Sequence, residues 1–446
     1  MIPVIKKITF SETPWSEPCD AFARYAHTAY SVLLTGKGPV DRAQFSLIGY
    51  DPHSVISHDG NKLNVKQETD TDKHILPLWD AFHKLTEALR AFEKMPSPIR
   101  YCGAVGFISY DALTTIEQTQ LHAQPAYELP LFTTVLYNHY IVFDHVSLQA
   151  YNVTIEYGNP SRINELFHCA KNNPVIRPFQ AECGREGYID KVNRVKNYIL
   201  DGDVYEVSLS QQFKAEFDGD PYRLFQKVFA ANPASYSAYF SWDKTAILCN
   251  SPELFVRADG QTVETRPIKG TIRRGKDTVE DEQLKQQLLA SEKDQAELYM
   301  IVDLLRNDLG KVCTTGSVTV DYAKQCETYE TVHHLVARVT GKLNGTYADL
   351  LRAVFPGGSI TGCPKIRSTE IIDELETYRR HLYTGSMFVM NSSFLVANIT
   401  IRTGIIQNNM LFINSGGAVT IDSDPAAEYD EIMHKVQNFF NAAGQS

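Results

Sequence analysis

The sequence lacks the patterns that mark several common classes of protein. Its net charge of −10 leaves no excess of basic residues, so we expect no nucleic-acid partner. It has no long apolar run and no apolar core near its first residue, which predicts neither a membrane span nor a signal peptide. The eight cysteines are scattered without a CxxC pair, as in proteins with reduced thiols. We therefore expect a cytoplasmic protein with no membrane association.

Two kinds of nucleotide-binding motif and one kind of nucleophile motif are also missing. No GxxxxGK[ST] loop occurs, and no GxGxxG follows a predicted strand, so nucleotide chemistry is not expected. No Gly-x-Cys-x-Gly turn is present, so the chain has no recognisable glutaminase of its own.

The residue patterns predict two parts joined by a linker. Residues 1–172 contain short alternating runs with one helix at 78–92 and a short one near 162–171, and a stretch rich in proline and glycine follows. Residues 185–446 contain a helix at 188–200, long helices at 279–309 and 364–378, and a final strand meander. Sequential hairpins with inserted helices predict an α+β fold, a large mixed and mainly antiparallel β-sandwich with helices on the outside.

A predicted hairpin brings two chemically useful residues together. The Asp259-Gly260 turn would pair Glu253 roughly with Arg266, so that Glu253 and Lys269 lie at the same end of the hairpin. Pro267 should break the strand register there. A carboxyl group beside a lysine is a candidate acid with a nucleophile or base, although a simple ion pair is the alternative.

Two helices far apart in sequence each place acidic side chains on one face. Asp294 and Glu297 are three residues apart, as are Glu428 and Glu431, and Lys435 follows one turn later. Two such faces could supply the oxygen ligands of a Mg²⁺ site, which needs few carboxylates and an anionic substrate. Taken singly, each pair is also typical of a solvated helix face.

Two further segments are suited to binding anions. The run from Phe355 to Lys365 is rich in glycine and precedes a helix, so its backbone N–H groups could bind an anion, or it could be an ordinary turn. Arg402 lies on the polar side of a strand predicted at 394–403 and could bind a carboxylate through two hydrogen bonds.

Long motifs in these segments resemble the chorismate-utilising enzymes, which include anthranilate, aminodeoxychorismate, isochorismate and salicylate synthases. The resemblance covers about 185–446 in family order, and an N-terminal part with FSLIGYDP and GAVGFISYD resembles the N-terminal domain of anthranilate synthase component I. The matching motifs are GDVYEVSLS, SPELF, RPIKGT, ELYMIVDLLRNDLG, VHHLVARVTG, FPGGSITGCPKIRSTEIIDELE, ITIRTG and DSDPAAEYDE. The resemblance implies the chorismate-utilising enzyme fold, with an N-terminal domain at 1–172 and a chorismate-binding catalytic domain at 185–446.

Lys269 in RPIKGT most resembles the aminodeoxychorismate synthases, because anthranilate synthases typically have a small residue there. The resemblance implies that chorismate and ammonia give 4-amino-4-deoxychorismate, a precursor of p-aminobenzoate and folate. It also implies a separate glutamine amidotransferase subunit that supplies the ammonia. The alternatives are an anthranilate synthase large subunit and, in a different class, a catalytically inactive regulatory subunit.

The same resemblance assigns roles to single residues. Lys269 would attack C2 of the substrate ring while Glu253 protonates the departing C4 hydroxyl, and we therefore expect the site to lower the pKa of Lys269. Glu206 stands where aminating members usually have glutamine. The resemblance implies Mg²⁺ ligands at Glu297 and Glu431, with Asp294 and Glu428 as their partners. It implies substrate-binding positions at Arg402, Tyr383, His334, Ser359, Gly270, Thr271, Gly416, Gly417 and Lys435.

Overall fold

The computed structural model describes residues 2–39, 43–68, 70–117, 119–442 and 444, and strands dominate it. Every ladder between two strands of the described residues is antiparallel. The strands are β1 (Ile5–Thr13), β2 (Val32–Thr35), β3 (Phe45–His58), β4 (Lys62–Gln67), β5 (Asp70–Ile75), β6 (Ala104–Ile108), β7 (Phe132–Asp144), β8 (Gln149–Tyr157), β9 (Val175–Ile176), β10 (Gln180–Ala181), β11 (Glu206–Asp218), β12 (Tyr236–Trp242), β13 (Thr245–Ser251), β14 (Leu254–Asp259), β15 (Thr262–Arg266), β16 (Ile268–Arg273), β17 (Thr319–Thr328), β18 (Val332–Lys342), β19 (Gly362–Cys363), β20 (Ser386–Met390), β21 (Phe394–Asn398), β22 (Thr403–Gln407) and β23 (Met410–Val419).

Helices flank this sheet. The α-helices of the described residues are α1 (Pro18–Phe22), α2 (Leu78–Ala88), α3 (Gly184–Leu200), α4 (Pro221–Ala231), α5 (Thr278–Ala290), α6 (Glu292–Gly310), α7 (Tyr347–Val354), α8 (Lys365–Leu375) and α9 (Pro425–Ala442). Short 3₁₀ turns occur at Arg90–Lys94, Ile99–Tyr101, Tyr110–Thr115 and Gly358–Ile360. Helix α6 packs on β17 and β18, and α9 packs on β23, so the two acidic helices flank the same sheet. None of the described helices has the length and apolar character needed to cross a membrane.

Strand pairing connects the two predicted parts of the chain. Strand β2 pairs with β12, and β6 pairs with β20, so strands from before residue 172 extend the sheet formed by later ones. The buried apolar side chains form two large clusters, and both draw on early and late parts of the chain. The predicted α+β class with a large and mainly antiparallel sandwich is confirmed, whereas the division at 172–185 stays a prediction.

The predicted hairpin forms, with its turn displaced by one residue. Asp259 pairs with Thr262, so Gly260 and Gln261 are the two turn residues, and Gly260 takes a φ of +58°. The displaced turn alone would pair Phe255 with Arg266, but a register shift between Leu254 and Arg257 makes Leu254 the partner, one position from the expected Glu253. A glycine at the first turn position accommodates the positive φ that a tight hairpin requires.

Three local predictions were wrong in instructive ways. The short helix near 162–171 is absent, because the Phe167 N–H donates to the His27 carbonyl across to another segment. The long helix at 279–309 divides at Ser291, whose hydroxyl caps α6 by accepting from Asp294 N–H at 3.3 Å. The strand at 394–403 stops at Asn398, and Arg402 beyond it has a φ of +50°, outside the strand region.

Candidate active site

A cavity of about 560 Å³ brings every candidate site residue together. It lies between α6 and α9 and is bounded by parts of β16, β18 and β23. The candidates that line it are Glu253, Lys269, Gly270, Thr271, Asp294, Glu297, His334, Ser359, Tyr383, Arg402, Gly416, Gly417, Glu428, Glu431 and Lys435. Their individual roles remain predictions, and their positions in the cavity indicate what each one could do.

Lys269 is buried on β16 and is surrounded by carboxylates. Its Nζ atom lies 3.0 Å from Oε1 of Glu206 and 4.0 Å from Oε2 of Glu297. Burial alone would lower the pKa of Lys269, but the charges of Glu206 and Glu297 outweigh it and raise the pKa above its ordinary value. The expected lowering of this pKa was therefore wrong, because sequence reasoning did not place Glu206 beside the amine.

The backbone conformation and close packing at Gly270 explain why a glycine follows Lys269. It has a φ of +72° and sits where the pairing of β16 with β18 shifts between Lys269 and Thr271. A Cβ atom at Gly270 would lie 2.9 Å from Cγ of Asp294 on α6. The missing side chain thus allows both the bulge, which orients Lys269, and the close approach of the acidic helix.

Glu253 is a buried carboxyl group that accepts hydrogen bonds from the Ser359 hydroxyl and from the backbone at Ile268. The Ser359 Oγ donates to Oε1 of Glu253 at 2.7 Å, and Ser359 itself lies on the 3₁₀ turn Gly358–Ile360. Burial raises the pKa of Glu253 to about 7, against the lowering effects of the Ser359 hydrogen bond and the Lys269 charge. A carboxyl group with this pKa carries a proton in a sizeable fraction of molecules near neutrality and is suited to a general acid.

Helices α6 and α9 present three glutamates to the cavity, namely Glu297, Glu428 and Glu431. The Lys293 Nζ lies 3.9 Å from carboxylate oxygens of both Glu297 and Glu428, so one cation already bridges the two helices. Burial raises the pKa of Glu297 to about 7 and also raises that of Glu428. The nearby Lys435 ammonium lowers the pKa of Glu431.

Gly417 marks the point at which the α9 carboxylates meet the sheet. A Cβ atom there would lie 3.2 Å from Oε2 of Glu428 and 3.7 Å from Oε1 of Glu431. Oε2 of Glu428 is buried and accepts no hydrogen bond from any described residue. A buried carboxylate oxygen that lacks a donor and lies close to a second carboxylate is suited to holding a cation.

The remaining lining residues supply donors rather than acids. Arg402 makes no side-chain hydrogen bond with the described residues, and burial lowers its pKa. Its guanidinium donors are therefore available to bind an anion. Lys435 donates to the Gly416 carbonyl at 2.9 Å and pairs with Glu431 at 2.7 Å. His334 Nδ1 lies 2.8 Å from the Thr271 hydroxyl oxygen on the neighbouring strand.

Tyr383 is fixed by a buried ion pair that sequence reasoning missed. The Arg380 guanidinium lies 5.7 Å from the centre of the Tyr383 ring and donates to both carboxylate oxygens of Glu376 at 2.7 and 2.9 Å. Arg380 also donates to the carbonyls of Ser208 and Ile360, which tie β11 to the 3₁₀ turn. Glu376 is only four residues from Arg380, but the carbonyls of Ser208 and Ile360 that complete this cluster are distant in the sequence, so no local pattern revealed it.

Comparisons with known proteins show which family the chain resembles. The family described as chorismate binding enzyme matches residues 32–441. Aminodeoxychorismate synthase component 1 of Bacillus subtilis is 34% identical over 456 residues, covering 97% of this chain and 95% of the relative. The protein of the same name from Escherichia coli is 35% identical over 430 residues, covering 93% of each chain. The crystal structure of anthranilate synthase component I from Streptococcus pneumoniae aligns with a TM-score of 0.76 at 27% identity, covering 89% of this chain and 92% of that one.

Proposed function

This chain belongs to the chorismate binding enzyme family, and we propose that it converts chorismate and ammonia to 4-amino-4-deoxychorismate. The observation that carries the proposal is the buried Lys269 amine in a cavity that also presents a protonatable carboxyl group, Glu253. Relatives named aminodeoxychorismate synthase component 1 are 34% and 35% identical over nearly the whole chain, which supports this member of the family.

The two ends of the cavity suit a substrate with two carboxylates. We infer that Arg402 and Tyr383 bind the enolpyruvyl carboxylate, because Arg402 is a half-buried donor in the cavity without a side-chain hydrogen bond among the described residues. The ring carboxylate would then lie toward Glu297 and Glu431, where it meets negative charge. That end requires a cation to offset the repulsion.

The residues at the acidic end fit Mg²⁺. Two helices supply oxygen ligands, and the buried Oε2 of Glu428 accepts no hydrogen bond from the described residues. The Lys293 ammonium already lies near both Glu297 and Glu428. These are the features expected of a site for a hard cation. Glu297 and Glu431 would be ligands, with Asp294 and Glu428 as outer or alternative partners. When bound, Mg²⁺ supplies positive charge that holds the ring carboxylate.

The side chains then divide the chemistry between two steps. Glu206 Oε1, 3.0 Å from Nζ, takes a proton from Lys269 and passes it to solvent before the reaction, and the neutral amine then forms a bond to C2. The two ring double bonds shift, the C4–O bond breaks, and Glu253 gives its proton to the departing hydroxyl, which leaves as water. Ammonia next forms a bond to C4, the double bonds shift back, and the Lys269 amine is expelled. The ammonium formed at C4 gives one proton to Glu253, and Lys269 leaves C2 as the neutral amine, so both groups return to the protonation states in which they began.

We infer that the ammonia comes from a separate protein. The sequence offers no glutaminase nucleophile motif, and the name component 1 of the relatives implies a second component for those proteins. We infer a glutamine amidotransferase subunit as the partner, in the cytoplasm, where the eight free cysteines would stay reduced. The product would serve the synthesis of p-aminobenzoate and folate.

Product identification tests the proposal directly. The purified chain is incubated with chorismate, Mg²⁺ and an ammonium salt, and the products are analysed by mass spectrometry. We expect an amine that keeps the enolpyruvyl group. Anthranilate together with pyruvate would instead identify an anthranilate synthase, and unchanged chorismate would identify an inactive subunit.

A further inference from the structure

A second cluster of metal-binding side chains lies away from the catalytic cavity. His27, Cys169 and Asp220 each present one donor atom, and these atoms all lie within 4.8 Å of one another. They come from three distant parts of the chain, which is why the spacing of the cysteines in the sequence does not reveal them. None of the three lines the catalytic cavity.

We propose that His27, Cys169 and Asp220 form a binding site for a borderline transition-metal ion of the zinc type. An imidazole nitrogen, a thiolate and a carboxylate oxygen form a ligand set typical of Zn²⁺, and water would complete a tetrahedron. The charges also balance, because one thiolate and one carboxylate neutralise a divalent ion. Mg²⁺ is disfavoured here, because it avoids sulfur and nitrogen ligands.

The backbone around the cluster is fixed on all sides. The Phe167 N–H donates to the His27 carbonyl at 3.0 Å, and the Asp220 N–H donates to the Asn172 carbonyl at 3.1 Å. These two bonds hold the segment that carries Cys169 between His27 and Asp220. The three donors are therefore brought together by the fold and do not depend on a flexible loop.

Asp220 is already divided between two tasks. Its Oδ1 accepts from Tyr222 N–H at 2.9 Å and caps helix α4, while its Oδ2 lies 3.1 Å from Nε2 of His27. Zinc bonds of about 2.0–2.3 Å place neighbouring ligand atoms about 3.4–3.6 Å apart, so the present His27–Asp220 separation is close to that of a bound pair. Because all three donor atoms lie within 4.8 Å of one another, the Cys169 sulfur needs a shift of at most about 1.3 Å, within reach of a χ1 adjustment.

Two groups oppose metal binding and must yield. Burial raises the pKa of the Cys169 thiol to about 11, so the ion must displace its proton. The Arg223 guanidinium lies 3.7 Å from Oδ2 of Asp220, but its side chain is half exposed and also donates to Oδ1 of Asn173 at 2.9 Å, so it keeps a partner when the ion takes Oδ2. Binding would then tie His27, from the early part of the chain, to the start of α4 in the later part.

Cobalt titration of the purified full chain tests the site. Co²⁺ bound through a thiolate gives a sulfur-to-metal charge-transfer band, which carboxylates at the Mg²⁺ site cannot give, because no cysteine lines that cavity among the described residues. We expect the band at one equivalent, its loss in Cys169→Ser, and at least about tenfold weaker binding in His27→Gln. Zn²⁺ should abolish the band by displacement and should raise the melting temperature of the wild type but not of Cys169→Ser.

Two matched variants separate the site from general effects. Cys183→Ser removes another half-buried thiol, and His168→Gln removes the exposed imidazole next to Cys169, and both should keep the band. No band in the wild type, or a band that survives Cys169→Ser, would overturn the proposal. If Cys169→Ser fails to fold, the His27→Gln titration decides, because unchanged affinity in that variant contradicts the site equally well.

Discussion

The Nζ atom of Lys269 lies 3.0 Å from a carboxylate oxygen of Glu206, which is completely buried at the start of β11. The other oxygen of Glu206 accepts no hydrogen bond from any described residue. Aminating members of the resembled family usually have glutamine at this position. A carboxylate stabilises the lysine as an ammonium, so this chain holds its proposed nucleophile in the protonated form and supplies an acceptor for the proton in the same contact.

Glu206→Gln should shift the alkaline limb of the pH profile of kcat/KM toward lower pH. The Glu206 charge raises the pKa of Lys269, so an uncharged amide at that position should lower it. The measurement is kcat/KM for chorismate with ammonium salts across the pH range, with the concentration of free ammonia held constant. Glu370→Gln, an exposed glutamate on α8, is the control and should leave the limb in place. An unmoved limb in Glu206→Gln would show that the pair does not set this pKa.

Ser359→Ala should move the acidic limb of the same profile upward from its expected position near pH 7. The Ser359 hydrogen bond stabilises the Glu253 carboxylate, and its loss should raise the pKa of Glu253 above the present value of about 7. The active form has a protonated Glu253 and a neutral Lys269, so the two groups together carry one proton. The more abundant form, with an ionised Glu253 and a Lys269 ammonium, carries the same number, and the ratio of these two forms does not change with pH. Activity should therefore rise through the Glu253 pKa and stay level until Lys269 titrates.

Glu253→Gln provides the companion measurement, because it keeps the shape but removes the proton donor. It should lower kcat by about 10²–10⁴-fold, the usual contribution of a general acid, and should abolish the acidic limb. A profile that keeps its limb near pH 7 in this variant would assign that limb to another group.

Mg²⁺ should be required for turnover, and its apparent affinity should fall as the pH drops below about 7. Burial raises the pKa of Glu297 to about 7, so protons compete with the ion at this ligand over that range. Glu297→Ala and Glu431→Ala should abolish turnover, whereas Glu292→Ala, exposed in the first turn of the same helix, should not. The measurement is initial rate against Mg²⁺ concentration at several pH values. Full activity of either ligand variant in excess EDTA would refute the metal assignment.

Ammonium salts at high pH should support turnover by the isolated chain, and glutamine alone should not. High pH raises the fraction of free ammonia, which is the attacking species, and the sequence offers no nucleophile motif for glutamine hydrolysis. Product formation is followed by mass spectrometry with each nitrogen source separately. Glutamine-driven product from the pure chain would show that it contains a glutaminase after all.

The sequence predicted which residues line the cavity better than it predicted the charges around them. Motif positions brought all the candidates to one cavity, because residues such as Glu253 and Ser359 keep their spacing to local turns and strands. The partners of Lys269 could not be foreseen in the same way. Glu206 is far from Lys269 in the sequence, and only the pairing of β11 within the sheet and the bulge at Gly270 bring the two side chains into contact.

The same limit applies to local structure. The hairpin and the start of α9 after Asp424 followed from short-range signals, since a turn glycine and a capping aspartate act within a few residues. The helix expected near 162–171 did not form, because that segment bonds through its backbone to the chain at His27. Tertiary hydrogen bonding of this kind leaves no periodic signal in the sequence.

Lys269 itself provides the most direct test, because its proposed role requires a covalent bond to the substrate. Wild-type enzyme incubated with chorismate and Mg²⁺ but without ammonia should accumulate an adduct on the peptide that contains Lys269, detected by mass spectrometry of the intact and digested protein. A free lysine with a pKa of about 10.4 is only about 0.04% neutral at pH 7, and the raised pKa here makes the neutral form rarer still. Adduct formation should therefore accelerate as the pH rises to about 7, and it should level off above that, because Glu253 then loses the proton that the same step requires.

Two substitutions at this position should give different outcomes. Lys269→Arg keeps the positive charge but presents a guanidinium that stays protonated, so neither adduct nor turnover is expected. Lys269→Ala should leave space for ammonia or water to attack C2, which shifts the product at low rate toward the 2-substituted isomer or anthranilate. Lys276→Arg, an exposed lysine just beyond β16, should behave like the wild type. Wild-type turnover by Lys269→Arg would contradict the nucleophile assignment, because no neutral amine would then be available at the end of this side chain.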